Sequence, residues 1–328
     1  MKCPKIKSEN SHIRSHAYDL RNLPFRPNYS ESRFHPYRGE KRIVSVKSNT
    51  RDLPPNMLSF LHNYFIPKGF CFANSVQLGK GHYSKVISAC VLRNKSSVAI
   101  KIINKSTVSS SYREKFLPRE LEVWRTLMHP NIVRFFTLYE EDVYVMIVTE
   151  LGRGGNMLNQ LKKNGPTPEK KAQLWIRQVM YAVQYLHQRG IVHRDLKLEN
   201  FILFSDRLIK LADFGFSKKV ETQLSETYCG SKSYSPPEIL LARRYDPFPA
   251  DIWSLGVCSF IIVTDRMPFN ENQSNAAIVN TQKRITFPRS VDVSPLCQDF
   301  VLHLLSFEAE HRPSINCAFR HPWIVDRR

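Results

Sequence analysis

The sequence predicts an α+β chain of two lobes, a small and mainly antiparallel β lobe followed by a larger helical one. Three observations carry this reading. Runs rich in β-branched and aromatic residues are confined to the first half, a glycine-rich connection follows at Gly152-Arg153-Gly154-Gly155, and apolar stripes of helical period come after it. At 328 residues, against a typical ~100–200 per domain, two folded units are the natural prior. A hydrophobic content of 42% is ample for a sizeable core and excludes a disulfide mini-protein or a wholly disordered chain.

The elements follow in order. Residues 1–68 hold thirteen Lys/Arg and five Asp/Glu, a net of +8, interleaved with Ser, Asn, Pro and His. No helical or strand period is sustained there, and the segment reads as a largely disordered basic arm. From Phe72 the runs Ser75–Leu78, Lys85–Leu92 and Ser97–Ile103, separated by Lys80-Gly81-His82 and Arg93-Asn94-Lys95, argue for an antiparallel meander. A second hairpin is expected around Glu140-Glu141-Asp142, between Ile132–Tyr139 and Val143–Glu150. Leu117, Leu121, Trp124 and Met128 recur at helical spacing, and Pro118 is tolerated only near a helix start. Past the glycine-rich connection, Thr167-Pro168-Glu169 opens a helix whose stripe is Ala172, Trp175, Ile176, Val179, Met180, Val183 and Leu186, with Gly190 to end it. Two short strands, Phe201–Phe204 and Leu208–Leu211, flank Ser205-Asp206. Asp251–Val263 is apolar nearly all round, the mark of a helix at the centre of a lobe.

The formal charge is +19, from 48 Lys plus Arg against 29 Asp plus Glu. That excess prompts a search for a polyanionic partner without choosing among nucleic acid, anionic membrane and phosphate ligands. The 260 residues after the arm keep +11 of it (19 − 8). Seven cysteines are scattered with no C-x-x-C pair and no zinc spacing, so they read as reduced thiols in a reducing compartment. The N-terminus MKCPKIKSEN is charged where a signal peptide needs an apolar run, and Lys2 excludes myristoylation. The longest apolar run, Leu255–Val263, falls short of the ~18 residues of a membrane span. A cytoplasmic location, with the nucleus as the alternative, is the expectation.

Four motifs carry chemistry. Gly79-Lys80-Gly81, with Ser84 and Val86, joins strand to strand, which does not suit a dinucleotide fingerprint but suits a hairpin folding its backbone N–H groups over nucleotide phosphates. Val98-Ala99-Ile100-Lys101 puts a lysine in the middle of an apolar strand. Nineteen residues on, Glu120 lies on the apolar face of its helix, where an unpaired carboxylate is costly, and Lys101 is its natural partner. The most specific stretch is His193-Arg194-Asp195-Leu196-Lys197-Leu198-Glu199-Asn200, followed by Asp213-Phe214-Gly215.

In this order, V-A-I-K, H-R-D-x-K-x-x-N and D-F-G resemble a eukaryotic protein kinase. The resemblance continues through Tyr234-Ser235-Pro236-Pro237-Glu238, Asp251-Ile252-Trp253-Ser254-Leu255-Gly256, His311-Arg312-Pro313 and His321-Pro322-Trp323. It implies a bilobal kinase fold over 69–324, with an N-lobe of about 69–151, a C-lobe of about 152–324 and a short tail at 325–328. It implies ATP and Mg²⁺ as cofactors. Asp195 would accept the substrate hydroxyl proton and Lys197 would steady the transferring phosphoryl group. Asn200 and Asp213 would hold Mg²⁺, and Lys101, locked by Glu120, would hold the α/β-phosphates. ATP would lie among Leu78, Gly79, Lys80, Gly81, His82, Tyr83, Ser84, Lys85, Val86, Ala99, Lys101, Thr149, Glu150, Gly152 and Asn156. Glu238 would pair with Arg312, and Asp251 would sit at the centre of the large lobe.

Ser225-Glu226-Thr227-Tyr228-Cys229-Gly230-Ser231 is similar to the activation loop of the calmodulin-dependent kinase group. Phosphate on Thr227, added by an upstream kinase or by autophosphorylation, would pair with Arg194 and order the loop. Ser231 beside Asp195 and Lys197 implies a serine/threonine kinase. Lys115-Phe116-Leu117-Pro118-Arg119-Glu120, Phe214-Gly215-Phe216-Ser217-Lys218, Cys297-Gln298-Asp299-Phe300 and Ile285-Thr286-Phe287-Pro288 resemble the testis-specific serine kinases, which implies a monomer working in male germ cells on protein substrates, with a chaperone as a further partner.

Departures from the pattern are Ser84 for the third glycine, Leu198 for proline, Asn156 for an acid and Pro236 for alanine. Two other classes compete. A pseudokinase scaffold is opposed by the presence of Lys101, Glu120, Asp195, Asn200 and Asp213. A nucleic-acid-binding arm lacks stacking aromatics on a folded platform.

Overall fold

The computed structural model describes residues 55–81, 84–110, 112–220, 224–225 and 230–325. The described chain enters through helix α1 (Pro55–Phe65), continued by a short 3-10 turn over Ile66–Lys68. The arm expected to lack structure through residue 68 is thereby corrected over 55–68. Met57, Leu61 and Phe65 recur every fourth residue and are buried, so the helix is held by one apolar face.

Strands β1 (Phe70–Cys71), β2 (Gln77–Lys80), β3 (Ser84–Val91) and β4 (Ser97–Asn104) are followed by helix α2 (Leu117–Thr126), then by β5 (Phe135–Glu140) and β6 (Tyr144–Glu150). The strands form one antiparallel sheet in the order β1-β3-β4-β6-β5, with β2 paired to β3. Alternation along β4 sends Val98, Ile100 and Ile102 to the face that α1 covers, where they pack with Phe65, Phe70, Ile87 and Val148. Ala99, Lys101 and Ile103 go to the opposite face, towards α2 and the cleft. β2 begins two residues later than its apolar run suggested. The stripe on α2 also ends sooner, because the helix stops at Thr126 and Met128 is 76% exposed beyond it.

The second lobe comprises α3 (Met157–Asn164), α4 (Glu169–His187), β7 (Ile191–Val192), β8 (Phe201–Ser205), β9 (Leu208–Leu211), β10 (Lys218–Lys219), α5 (Pro237–Leu240), α6 (Pro247–Thr264), α7 (Asn275–Gln282), α8 (Pro295–Leu304), α9 (Ile315–Ala318) and α10 (Pro322–Val325). Every residue of the stripe read for α4 is buried. Ser274, Ser294 and Ser314 each cap a helix by accepting a backbone N–H three residues on. Among the described residues, α6 is long and apolar enough to cross a membrane, and 83% of it is buried inside the fold. It is the core helix of the lobe, longer than its apolar run because Asp246 caps a start at Pro247.

Gly152 shows why the connection between lobes is glycine-rich. A Cβ there would stand 2.3 Å from Ile202 Cγ2, so the connecting chain lies directly on β8. Glu150 at the end of β6 is gripped across the lobes by Lys210 of β9, at 2.7 and 2.8 Å to its two carboxylate oxygens.

Candidate active site

Lys101 occupies the cleft face of β4, opposite Val86 on one side and Ile147 on the other. Its Nζ lies 2.7 Å from Glu120 Oε1 and 2.7 Å from Asp213 Oδ1. The pairing with Glu120 expected from the sequence is thus present. Burial opposes the charge on Lys101, but Asp213 and Glu120 outweigh it and hold the ammonium well above its usual range. The two carboxylates differ. The Glu120 side chain is fully buried, and burial pushes its pKa up in spite of Lys101. The Asp213 side chain is 44% exposed to the cleft, and although burial would raise its pKa, Lys101 pulls it below the ordinary range.

Glu120 can point inward because α2 is pinned against the lobe below. Trp124 packs on Phe214 with ring centroids 5.4 Å apart, and Phe214 meets the ring of His193 edge-on at 5.2 Å. Trp124 also donates its indole N–H to Val133 O at 2.9 Å. This column joins α2, the D-F-G segment and the H-R-D segment.

Asp251 fixes the H-R-D segment from beneath. His193 N and Arg194 N donate to its two carboxylate oxygens at 2.8 Å each, and His187 Nε2 lies 3.0 Å away. Those bonds hold Arg194 at φ 64°, a left-handed conformation that a non-glycine residue adopts only when its surroundings compensate. Burial alone would raise the pKa of Asp251, but the hydrogen bond from His187, the nearness of both imidazoles and the backbone N–H of His193 keep it low.

The Asp195 carboxylate then sits at a junction. Lys197 Nζ is 2.7 Å from its Oδ2, Ser231 Oγ donates to its Oδ1 at 3.2 Å, and Lys197 Nζ also donates to Ser231 Oγ at 3.2 Å. Asn200 donates its amide to Asp195 O at 2.8 Å, which leaves its amide oxygen as the free end of the side chain. Asn200 Oδ1 and the half-exposed Asp213 carboxylate are the hard oxygen donors that suit a small divalent cation, so the residues present fit Mg²⁺.

Over the cleft, β2 and β3 close the glycine hairpin with Gly81 N donating to Ser84 O at 2.8 Å. A Cβ on Gly81 would lie 3.0 Å from Ser84 Oγ, so the serine replacing the third glycine is accommodated by the glycine before it. His82, Tyr83 and Thr227 lie outside the described residues. Gly79, Ser84, Val86, Ala99 and Thr149 belong to the hairpin, β4 and the end of β6, above the connection. Asn156 has another engagement, since its Oδ1 accepts from Asn159 N at 2.9 Å and caps α3. Pro236 is the residue before α5, followed by Pro237 at the first helical position, where no intrahelical N–H is needed. Arg312 forms a bidentate pair with Glu238 at 2.6 and 2.8 Å, and its side chain is fully buried. The sequence reasoning missed the Trp124–Phe214–His193 column, the Lys210–Glu150 bridge and α1. Only α1 had a local signal, the four-residue recurrence of Met57, Leu61 and Phe65.

A buried lysine–glutamate pair, an aspartate held between lysine and serine, and a neighbouring pair of oxygen donors under a glycine hairpin together define a protein kinase. The family model described as protein kinase domain matches residues 72–324, and the chain belongs to that family. It is 38% identical over 264 residues to testis-specific serine/threonine-protein kinase 3 of Mus musculus, covering 78% of this chain and 98% of the relative. It is 36% identical over 265 residues to testis-specific serine/threonine-protein kinase 4 of Homo sapiens, covering 76% and 80%. A calcium/calmodulin-dependent protein kinase type 1 of Macrobrachium nipponense is 35% identical over 296 residues, covering 88% and 83%. The chain is a protein serine/threonine kinase, a membership that implies ATP use and protein substrates.

Proposed function

We propose that the chain is a catalytically active, Mg²⁺-dependent kinase that phosphorylates serine or threonine hydroxyls of proteins in male germ cells, acting in the cytoplasm and switched on at Thr227. The observation that carries the catalytic part is the Lys101 ammonium held 2.7 Å from both Glu120 and Asp213, the arrangement an active nucleotide site requires. When bound, ATP with Mg²⁺ supplies the transferable phosphoryl group and the charge neutralisation its transfer needs. Lys101 offers a fixed positive charge to phosphate, and Asn200 and Asp213 offer oxygens to the metal. Asp195 orients the acceptor hydroxyl and takes its proton. Lys197, already on Asp195 and Ser231, presents its ammonium where negative charge gathers.

The regulatory part is supported by Arg194. Its Nε donates to Phe216 O at 2.7 Å, while its buried Nη1 has no hydrogen-bond partner among the described residues. A phosphate on the neighbouring loop would satisfy it. The germ-cell role rests on the names of the relatives, and the cytoplasmic one on the scattered cysteines, which suit a reducing compartment.

The test is transfer of labelled γ-phosphate to a basic protein substrate. Lys101→Met and Asp195→Ala should each lower turnover by about 10²–10⁴-fold, the range general-base and charge contributions supply. Activity surviving both changes rejects the catalytic reading. Unchanged turnover in Thr227→Ala rejects the switch.

A further inference from the structure

Two of the cysteines are brought together by a strand register that nothing in phosphoryl transfer uses. Cys71 on β1 and Cys90 on β3 are direct partners in an antiparallel pair, next to Phe70 opposite Val91. Opposed residues of an antiparallel pair project to the same side of the sheet. Phe70, Phe72, Ala89 and Val91 turn towards the cluster under α1, so Cys71 and Cys90 share the other face. Both are free thiols of intermediate exposure, so a small reagent can reach them and neither is sealed in a core.

The geometry meets the demands of a disulfide. Opposed antiparallel residues have Cα atoms ~4.5–5.5 Å apart, inside the ~4.4–6.8 Å that a disulfide spans. The Cβ atoms, ~4.5–5.5 Å apart in such pairs, must close to about 4 Å. The strand asked to move is β1, a two-residue strand at the sheet edge. The ring that would close runs from Cys71 to Cys90 and contains all of β2 and the glycine hairpin.

We propose that Cys71 and Cys90 form an oxidisable dithiol, a modification site whose reagent is a low-molecular-weight disulfide such as glutathione disulfide. One cysteine thiolate attacks a sulfur of the reagent, breaking its S–S bond, forming a mixed disulfide and releasing one glutathione thiolate. The second cysteine thiolate attacks the cysteine sulfur of that mixed disulfide, forming the Cys71–Cys90 bond and releasing the other glutathione. The two thiol protons pass through solvent to the two released thiolates, and two electrons pass from the protein to the reagent. The bond pins the edge strand to β3 and ties off the base of the hairpin. This chemistry stands apart from phosphoryl transfer and does not rest on the kinase reading.

The experiment uses the full chain without nucleotide, equilibrated in glutathione buffers from reducing to oxidising, alkylated and digested without reduction. Trypsin cuts after Lys80 and Lys85 and so separates the two cysteines into different peptides. Mass spectrometry should find the two peptides linked in the oxidising buffer and free after dithiothreitol. The thermal midpoint should rise by roughly 5 °C on oxidation, as a ~20-residue ring in a domain of this size implies, and return on reduction. Cys71→Ser and Cys90→Ser should each abolish the link and the shift. Both thiols alkylated in the oxidising buffer, either thiol linked to a different cysteine, or an unchanged midpoint would overturn the proposal. The peptide map of the unmutated chain decides the matter even where a serine variant folds poorly. A kinase inert in every assay would leave these readings intact and count against the proposed function alone.

Discussion

Replacing Phe65 with alanine should destabilise the kinase by about 3–5 kcal/mol, the range for emptying a well-packed aromatic site. Phe65 is fully buried at the end of α1 and meets Phe70, Tyr139 and Phe72 edge-on, with ring centroids 5.2, 5.2 and 5.9 Å away. The upper half of the range applies, because truncation loses those edge contacts as well as buried area and the backbone of the sheet cannot collapse into the gap. At about 2–4 °C per kcal/mol, the thermal midpoint should fall by roughly 8–20 °C. Asn63→Ala, on the exposed side of the same helix, is the control and should change stability by less than ~0.5 kcal/mol. The larger form of the perturbation compares a chain beginning at residue 55 with one beginning at residue 69. The shorter chain uncovers Ile87, Ile100, Ile102 and Val148 together and should aggregate or unfold at lower temperature. A Phe65→Ala midpoint within 1 °C of the parent, or equal midpoints for the two truncations, would refute α1 as part of the folded kinase.

Arg312→Met should cost about 3–5 kcal/mol in thermal or urea unfolding, because Glu238 would keep a partly buried charge with its bidentate partner gone; a loss under 1 kcal/mol would contradict the pairing. Burial lowers the pKa of His193, and burial with the charge of Arg189 lowers that of His129, so both imidazoles favour the neutral form in the native state. The unfolded chain therefore binds these protons first as pH falls through ~6.5, and stability should decline from there towards the lower native values; a midpoint flat between pH 7.5 and 5 would count against it.

What could be read from the sequence divides along a physical line. Lys101 and Glu120 were legible together because a charge at a period-fixed apolar position demands a partner, and the nineteen-residue separation left few candidates. The α4 and α6 helices were legible because burial on one side, or on all sides, writes itself into local periodicity. The Trp124–Phe214–His193 column was not, since its members come from three segments and each is an ordinary core or loop residue in its own window. Helix α1 failed for a different reason. Its Met57–Leu61–Phe65 recurrence spans one short helix at the edge of a long basic stretch, whose composition outweighed it. Asn156 shows another limit, since its motif position pointed to the nucleotide alone and gave no sign that its side-chain oxygen also caps α3.

The electrostatics of the cleft explain why the large positive charge of the chain is no measure of its site. Lys101, Lys197 and Arg194 bring three positive charges, and Glu120, Asp195 and Asp213 bring three negative ones, so the set sums to zero. Lys210 with Glu150, and Arg312 with Glu238, cancel likewise. Residues 1–54 carry twelve Lys/Arg against five Asp/Glu, so +7 lies there and the remaining +12 (19 − 7) belongs to residues 55–328. Since the ion pairs named in and around the cleft are neutral, that +12 lies on groups outside them. Charge so placed acts through the long-range field, which at a Debye length of ~8 Å raises the local concentration of anionic ligands without fixing their geometry. Fixing geometry falls to the balanced set, in which each cation is held by a carboxylate or carbonyl and is therefore already oriented when an anion arrives.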